Sequence, residues 1–382
     1  MSRERTWRKK GAYRFVLFTL LMGIFLWSPA FGETLPSATP FSLLPHLRVA
    51  SPLTFCNERV PLKRQETRER FEKELMLTLW DRPQVLLWLK RSHRYLPTIE
   101  SLLKQNQLPD DLKYVAIAES ALRPHAGSQK GAVGFWQFMA ETGRRYGLII
   151  NARRDERRNV VFSTEAAIRY FRDLHREFGS WTLAAAAFNM GEEGLLAEIL
   201  EQNTQDYYKL YLPLETQRFL FRLISIKLIF EDPVKYGFRL TKKDYYPPVS
   251  SERVKITCFQ ETPIRIIARA AQTYFKRIKD LNPEIRGHFV APGSHSLLIP
   301  KAGRHGFQDR YQQYVKKFLE TRKERVYVVM EGDNLSSIAA RFDIPLQALL
   351  IWNQLDLERP IHPGDRLFIY PRKGSPSLKR LD

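Results

Sequence analysis

Between Arg64 and Phe230, apolar side chains recur at three- and four-residue spacing almost without a break, which predicts a run of short α-helices. Pro83, Pro97, Pro109 and Pro213 fall where helices would begin, since a missing N–H costs nothing in a first turn. Strand-like alternation is nearly absent, so residues 64–240 are expected to form an all-α domain. After Asp232-Pro233 the pattern changes, and Tyr245-Tyr246-Pro247-Pro248 marks a linker over 241–254. Two shorter segments with a similar rhythm follow. In the second, 325–371, Tyr327-Val328-Val329 signals a strand and Gly332-Asp333 a turn whose aspartate could cap a helix from Leu335 to Phe342. Pro345 restarts a helix to Trp352, and Pro363-Gly364 turns into a last strand, Leu367 to Tyr370. The expected order is β-α-α-β. The earlier segment, 255–301, keeps the same frame in Thr262-Pro263-Ile264, Ile267-Ala268, Asn282-Pro283, Pro292-Gly293 and Leu297 to Pro300, but lacks the Gly-Asp turn.

The two ends read differently. Arg3, Arg5, Arg8, Lys9 and Lys10 precede an uncharged run from Phe15 to Trp27, and Ala30-Phe31-Gly32 offers small residues for cleavage. That run is shorter than the roughly 20 residues of a spanning helix. Residues 1–32 therefore read as a signal peptide cleaved after Gly32, in preference to an uncleaved anchor, and export to the periplasm or cell envelope is expected. No cysteine lies near the cleavage point, which argues against a lipoprotein. Residues 33–63, with Pro36, Pro40, Pro45 and Pro52, read as a tether, and 372–382 as a basic tail.

The chain of 382 residues is 44% hydrophobic, enough for two or three packed domains. Its 61 basic and 41 acidic residues leave a net charge of +20, which favours an acidic partner such as cell wall or anionic membrane. The basic residues are scattered, with local clusters near Arg8, Arg153 and Lys373, rather than interleaved with aromatics. Nucleic acid is therefore a poor fit.

One acidic residue stands out. In Leu108-Pro109-Asp110-Asp111-Leu112, proline and two aspartates suit a helix start. Counting from Glu119, the positions three, four and seven back are Ala116, Val115 and Leu112, and three forward is Leu122. A carboxylate on an apolar stripe is desolvated, so its pKa should rise, and a carboxylic acid protonated near neutral pH can protonate a departing glycosidic oxygen. A glutamate bending from the stripe's rim into water is the competing reading.

Further residues join it. Glu119-Ser120, Ser128-x-x-Gly131-Ala132-x-Gly134-x-Trp136-Gln137-Phe138-Met139, Ala187-Phe188-Asn189-Met190-Gly191 and Leu214-Glu215-Thr216-x-x-Phe219 occur in that order. This series resembles the lytic murein transglycosylases over about Leu96 to Tyr236, most closely the membrane-bound D type that carries LysM modules. The resemblance implies a lysozyme-like fold with Glu119 as the catalytic residue. Ser128 and Gln137 would bond sugar substituents, and Gly131 and Gly134 would allow close backbone approach. Phe135 or Trp136 would wall the site, Met139 would pack beneath, Asn189 would hold substrate or orient Glu119, and Glu215 would assist positioning. The family normally has tyrosine where Phe188 and Phe219 stand, so two hydroxyls are missing here. It uses one glutamate as acid and then base, with the muramic acid C6 hydroxyl attacking in place of water.

Residues 325–371 resemble a LysM module, which binds N-acetylglucosamine-containing glycans. The match lies in Tyr327, Val329, Gly332, Asp333, Asn334, Leu335, Asn353, Pro363, Gly364 and Leu367. By the same likeness, 255–301 reads as a degenerate module, with a structural role and sugar binding as the two alternatives. A hydrolytic muramidase and a catalytically weakened wall-binding scaffold are the alternative functions. No metal or other cofactor is expected, since the eight histidines show no ligand-spaced pair in the helical domain. Cys56 and Cys258 could pair in an oxidising compartment or stay as buried thiols.

Overall fold

The computed structural model describes residues 44–49, 52–323, 326–358 and 360–370. The expected signal peptide and the basic tail lie outside the described residues. A short helix α1 (Leu44–Leu47) comes first, then a hairpin of β1 (Thr54–Phe55) and β2 (Glu58–Arg59). This hairpin corrects the tether reading over 52–63, while 33–43 lie outside the described residues. Leu53, Phe55, Cys56 and Val60 are buried in the core of the helical domain. Two-residue strands are too short to show a period, which is why the sequence conceals them. Cys56 and Asn57 form the turn in left-handed conformations, φ 50° and 67°, as a tight two-residue hairpin requires.

Eight helices build the first domain: α2 (Gln65–Trp80), α3 (Arg82–Gln105), α4 (Lys113–Ser120), α5 (Ala140–Arg145), α6 (Val160–Phe178), α7 (Trp181–Met190), α8 (Glu192–Gln202) and α9 (Leu214–Glu231). Pro83 and Pro213 mark helix starts, and Pro109 precedes a single 3-10 turn, Asp110–Leu112, that leads into α4. Pro97 does not start a helix. α3 runs through it, forgoing one backbone bond, while Leu96 and Ile99 beside it are buried and hold the helix down. Asn159 caps α6 by accepting from the N–H groups of Val161 and Phe162, and Gly179 ends it at φ 66°.

The linker is not free chain. Tyr246 donates its N–H to the Lys90 carbonyl at 2.8 Å, and the Tyr245 ring stacks on His93 with centroids 4.0 Å apart, strapping the segment along α3. A small module follows, with β3 (Ser251–Cys258), β4 (Thr262–Pro263), α10 (Ile264–Ala270), α11 (Phe275–Leu281), β5 (Phe289–Val290) and β6 (Gly293–Pro300). β3 pairs antiparallel with β6 from Ser251–Pro300 to Cys258–Gly293, so the strand begins four residues before the expected boundary. α12 (Phe307–Lys323), absent from the sequence reading, buries Phe307 and Tyr311 in this module's core. The last module comprises β7 (Val326–Val328), α13 (Leu335–Arg341), α14 (Leu346–Asn353) and β8 (Arg366–Phe368), with its own core.

Asn282 and Asn353 do the same work in the two modules. Asn282 donates to the Ile278 and Leu298 carbonyls and accepts from Leu298 N–H, all at 2.7–2.8 Å. Asn353 does so with Leu349, Phe368 and Phe368 N–H at 2.6–2.9 Å. In each, one side-chain amide stitches the second helix to the last strand. The two cysteines are both free and buried, in separate cores, so the possible pairing of Cys56 with Cys258 is not formed.

Glu58 gives the hairpin its grip. Its carboxylate accepts from Trp181 N–H at 2.6 Å, Thr182 N–H at 2.9 Å and Ser180 Oγ at 2.9 Å, at the positive end of α7. Charge-assisted capping of this kind is worth about 2 kcal/mol. Glu58→Ala should lower unfolding free energy in urea by about that amount. An unchanged denaturation midpoint would show that the hairpin contributes nothing to the helical domain.

Candidate active site

Glu119 sits in the last turn of α4, half-buried, above a floor of fully buried Leu112, Val115 and Ala116. Leu122 is buried too but is not part of the stripe. The helix stops at Ser120, and Ala121 and Leu122 follow at φ 53° and 56°. Two consecutive left-handed non-glycine residues are costly. They are pinned by the Arg91 guanidinium on the Ala121 carbonyl and by Arg123 on that of Ser120, both at 3.1 Å. Ser120 turns inward, its hydroxyl donating to the Ala116 carbonyl at 2.9 Å.

No hydrogen bond or ion pair to the Glu119 carboxyl is found among the described residues, while burial pushes it up to about 7. Arg222 opposes that rise and Glu215 adds to it. Both lie on α9, seven residues apart and so on one helical face. Arg222 went unremarked in the sequence, although its spacing from Glu215 was the available signal. α4 is fixed against α9 at its other end as well. Asp111 accepts from Lys227 Nζ at 2.8 Å and from Cys56 N–H at 2.7 Å, and Lys227 also donates to the Thr54 carbonyl at 3.0 Å.

The remaining motifs are joined in series. Thr216 Oγ1 donates to Asn189 Oδ1 at 2.8 Å, linking α9 to α7. Phe188 stacks on Phe171 at 4.7 Å and meets Trp136 and Phe138 edge-on. Phe135 and Trp136 are 1% exposed, and the Trp136 indole donates to Thr164, so both are core rather than the expected wall. Their size explains the difference, since the loop anchors itself by burying them. Met139, expected to pack beneath the site, is 45% exposed. Phe219 is buried, and Glu215 stays exposed in the first turn of α9. Ser128 is exposed, its oxygen accepting from Ala132 N–H. Gln137 spends its amide N–H groups on the Gly134 and Ala126 carbonyls, so only its oxygen remains for a ligand. Gly131 has open space where a side chain would be, whereas a Cβ on Gly134 would meet the Arg157 carbonyl at 1.8 Å.

The residues expected to bind glycan in the last module also hold it together. Asn334, not Asp333, caps α13, in a reciprocal pair with Ser337. The Asp333 carboxylate faces inward, taking Tyr327 Oη at 2.6 Å, Met330 N–H at 2.9 Å and Arg341 at 3.1 Å. Leu335 packs against the core, Asn353 is used as described above, and Gly332 and Gly364 make turns at φ 83° and 93°. Pro363 precedes the second of these turns. The side chains of Asp333, Asn334 and Asn353 are thus engaged within the module itself. Among the described residues there is no cluster suited to a metal ion.

Residues 97–211 match the Transglycosylase SLT domain family and 327–369 the LysM domain family, so the chain carries both domains. It is 30% identical over 297 residues to proteins named membrane-bound lytic murein transglycosylase D from two strains of Escherichia coli, covering 73% of this chain and 64% of theirs. The chain thus spans just under two thirds of the length of these curated relatives. Among solved structures, it is similar to the 70 kDa soluble lytic transglycosylase of Escherichia coli (15% identity, 49% of this chain, 33% of that one, TM-score 0.33). A lytic transglycosylase from Pseudomonas aeruginosa gives 21% identity, 42% and 27% coverage and TM-score 0.32. At such scores neither overlay carries an argument.

The charges around Glu119 make opposite predictions. Arg222→Met removes a cation that favours the carboxylate, so the pH at which activity falls should move up. Glu215→Gln removes an anion that favours the acid and should move it down. Stability follows the same titration. A carboxyl raised in the folded state stabilises most below its ordinary value of 4.5, and that contribution is lost as pH climbs to about 7. Glu119→Gln, which does not titrate, should therefore gain melting temperature relative to the parent across that window. A constant difference would contradict the shift.

Proposed function

We propose that this protein cleaves the β-1,4 bond between N-acetylmuramic acid and N-acetylglucosamine in peptidoglycan by transglycosylation, leaving 1,6-anhydro ends. The observation that carries this reading is Glu119: a carboxyl desolvated to about 7, unheld by any donor among the described residues, at the meeting point of α4 and α9. The names of the relatives and the SLT domain match supply the substrate class. Protonated, Glu119 delivers its proton to the leaving oxygen. As a carboxylate it then takes a proton from the C6 hydroxyl as that oxygen attacks the anomeric carbon. The proton books balance with one residue and no water. Glu215 tunes Glu119 rather than pairing with it across the bond as a second carboxylate would.

Export and residence in the cell envelope belong to the same proposal, with the signal peptide as the route. The last module keeps the enzyme on insoluble wall, and the charge of +20 holds it near anionic polymer and headgroups.

Two experiments test this. On purified sacculi, products should be lighter by one water than hydrolytic fragments, and Glu119→Gln should cut turnover by at least ~100-fold while still folding. Products of full hydrolytic mass would make it a muramidase instead. Separately, truncation after Lys323 should weaken sacculus pull-down while short soluble glycans are still cut, because a linked module acts by raising effective concentration. Equal pull-down by both forms would remove the targeting role.

A further inference from the structure

The loop with Ser128, Gly131, Gly134 and Gln137 has little regular structure of its own, only isolated bridges of Val133 with Gly127 and Phe138. Besides the buried Phe135 and Trp136, Arg157 supports it from outside. The Nη1 of this residue donates to the carbonyls of Gly131 and Phe138, both at 3.0 Å, on either side of Gly134. Its Nε and Nη2 fork onto the two oxygens of Asp155 at 2.9 and 2.8 Å. Arg157 is 7% exposed and Asp155 2%. Against the penalty of burial, the guanidinium holds the Asp155 carboxyl below its ordinary range. A buried ion pair is expensive unless its hydrogen bonds are complete, and this one completes them with the loop's own carbonyls.

The chain beneath Arg157 is gripped from the next module. Asp155 N–H donates to the Glu284 carbonyl and Arg286 N–H to that of Arg153, both at 2.8 Å, forming an antiparallel bridge between Arg154 and Ile285. Glu284 and Ile285 are buried, and Arg153 pairs with Glu261. One continuous path runs from the turn after α11, through residues 153–155 and Arg157, to the loop.

We propose that Arg157 is the positioning residue of the substrate loop, and that the first β-α-α-β module is a brace for the catalytic domain, acting through Glu284–Arg286. The missing Gly-Asp turn fits a module whose service is mechanical. Pre-organising a loop lowers the ordering cost on binding, so the effect belongs in KM rather than in the chemical step. The proposal rests on the glycan-cleaving reading for the identity of the ligand, not for the existence of the brace.

The full-length chain serves for the test, with two variants. Arg157→Lys keeps the charge but loses the fork, and Arg286→Pro removes the N–H that meets Arg153, far from the loop. In both, amide hydrogen exchange over 127–139 should quicken by about tenfold while α6 and α9 amides keep their rates. KM on soluble glycan should rise about tenfold in the first and about threefold in the second, with kcat within about twofold and the pH profile unmoved. Wild-type exchange in the loop together with wild-type KM, in either variant, overturns the proposal. So does a general quickening that includes α6 and α9, which would mean the pair merely holds the fold. If the parent protein cut no glycan at all, the functional reading would fall, while the exchange data would still decide the brace.

Discussion

A carboxyl group stays protonated near neutral pH only where both water and hydrogen-bond donors are withheld from it, and the surroundings of Glu119 answer to that constraint. A glycine turn would end α4 at lower cost but hold it more loosely. Instead the helix ends one residue after Glu119 in two left-handed residues, Ala121 and Leu122, whose strain is borne by Arg91 and Arg123 and by the burial of Leu122. Ser120, the nearest hydroxyl in sequence, is turned away to Ala116. Arg222 works against the rise, and Glu215 on the same face of α9 works with it.

Such a balance survives only if α4, α7 and α9 keep their places, and the N-terminal hairpin holds all three. Cys56 N–H and the Thr54 carbonyl engage the Asp111–Lys227 pair that joins the start of α4 to α9. Glu58 caps α7, which carries Asn189 to its bond with Thr216. Six residues thus reach three helices that lie far apart in sequence. The floor of the site is secured from one side by this hairpin and its loop from the other by Arg157.

Much of this was legible before any coordinates. Helical periodicity marks out the first domain, and the stripe through Leu112, Val115 and Ala116 raises Glu119 as a candidate that the ordered motifs after it then favour. What stayed hidden has a common cause, in that it depends on partners distant in the chain. Glu58 and Trp181 are separated by more than a hundred positions, so the hairpin passed for a tether. Pro97 looks like a helix start because no local signal says that flanking burial will carry α3 through it. Asp333 and Asn353 have the right residue types for sugar contacts, yet their side chains are consumed within the module. Arg157 is one arginine in a basic cluster until Asp155, Gly131 and Phe138 are seen around it. The two phenylalanines at the usual tyrosine positions are accommodated by packing, Phe188 against Phe171 and Phe219 in the core.

The central claim is that Glu119 is an acid near neutral pH, and a direct titration of that side chain tests it without reference to turnover. With glutamate labelled at its carboxyl carbon and Glu119 assigned by comparison with Glu119→Gln, the chemical shift can be followed from acid to alkaline pH. The expected midpoint is about 7, well above the ordinary 4.5. A midpoint near 4.5 would contradict it, for the carboxyl would then already have given up the proton it is meant to deliver.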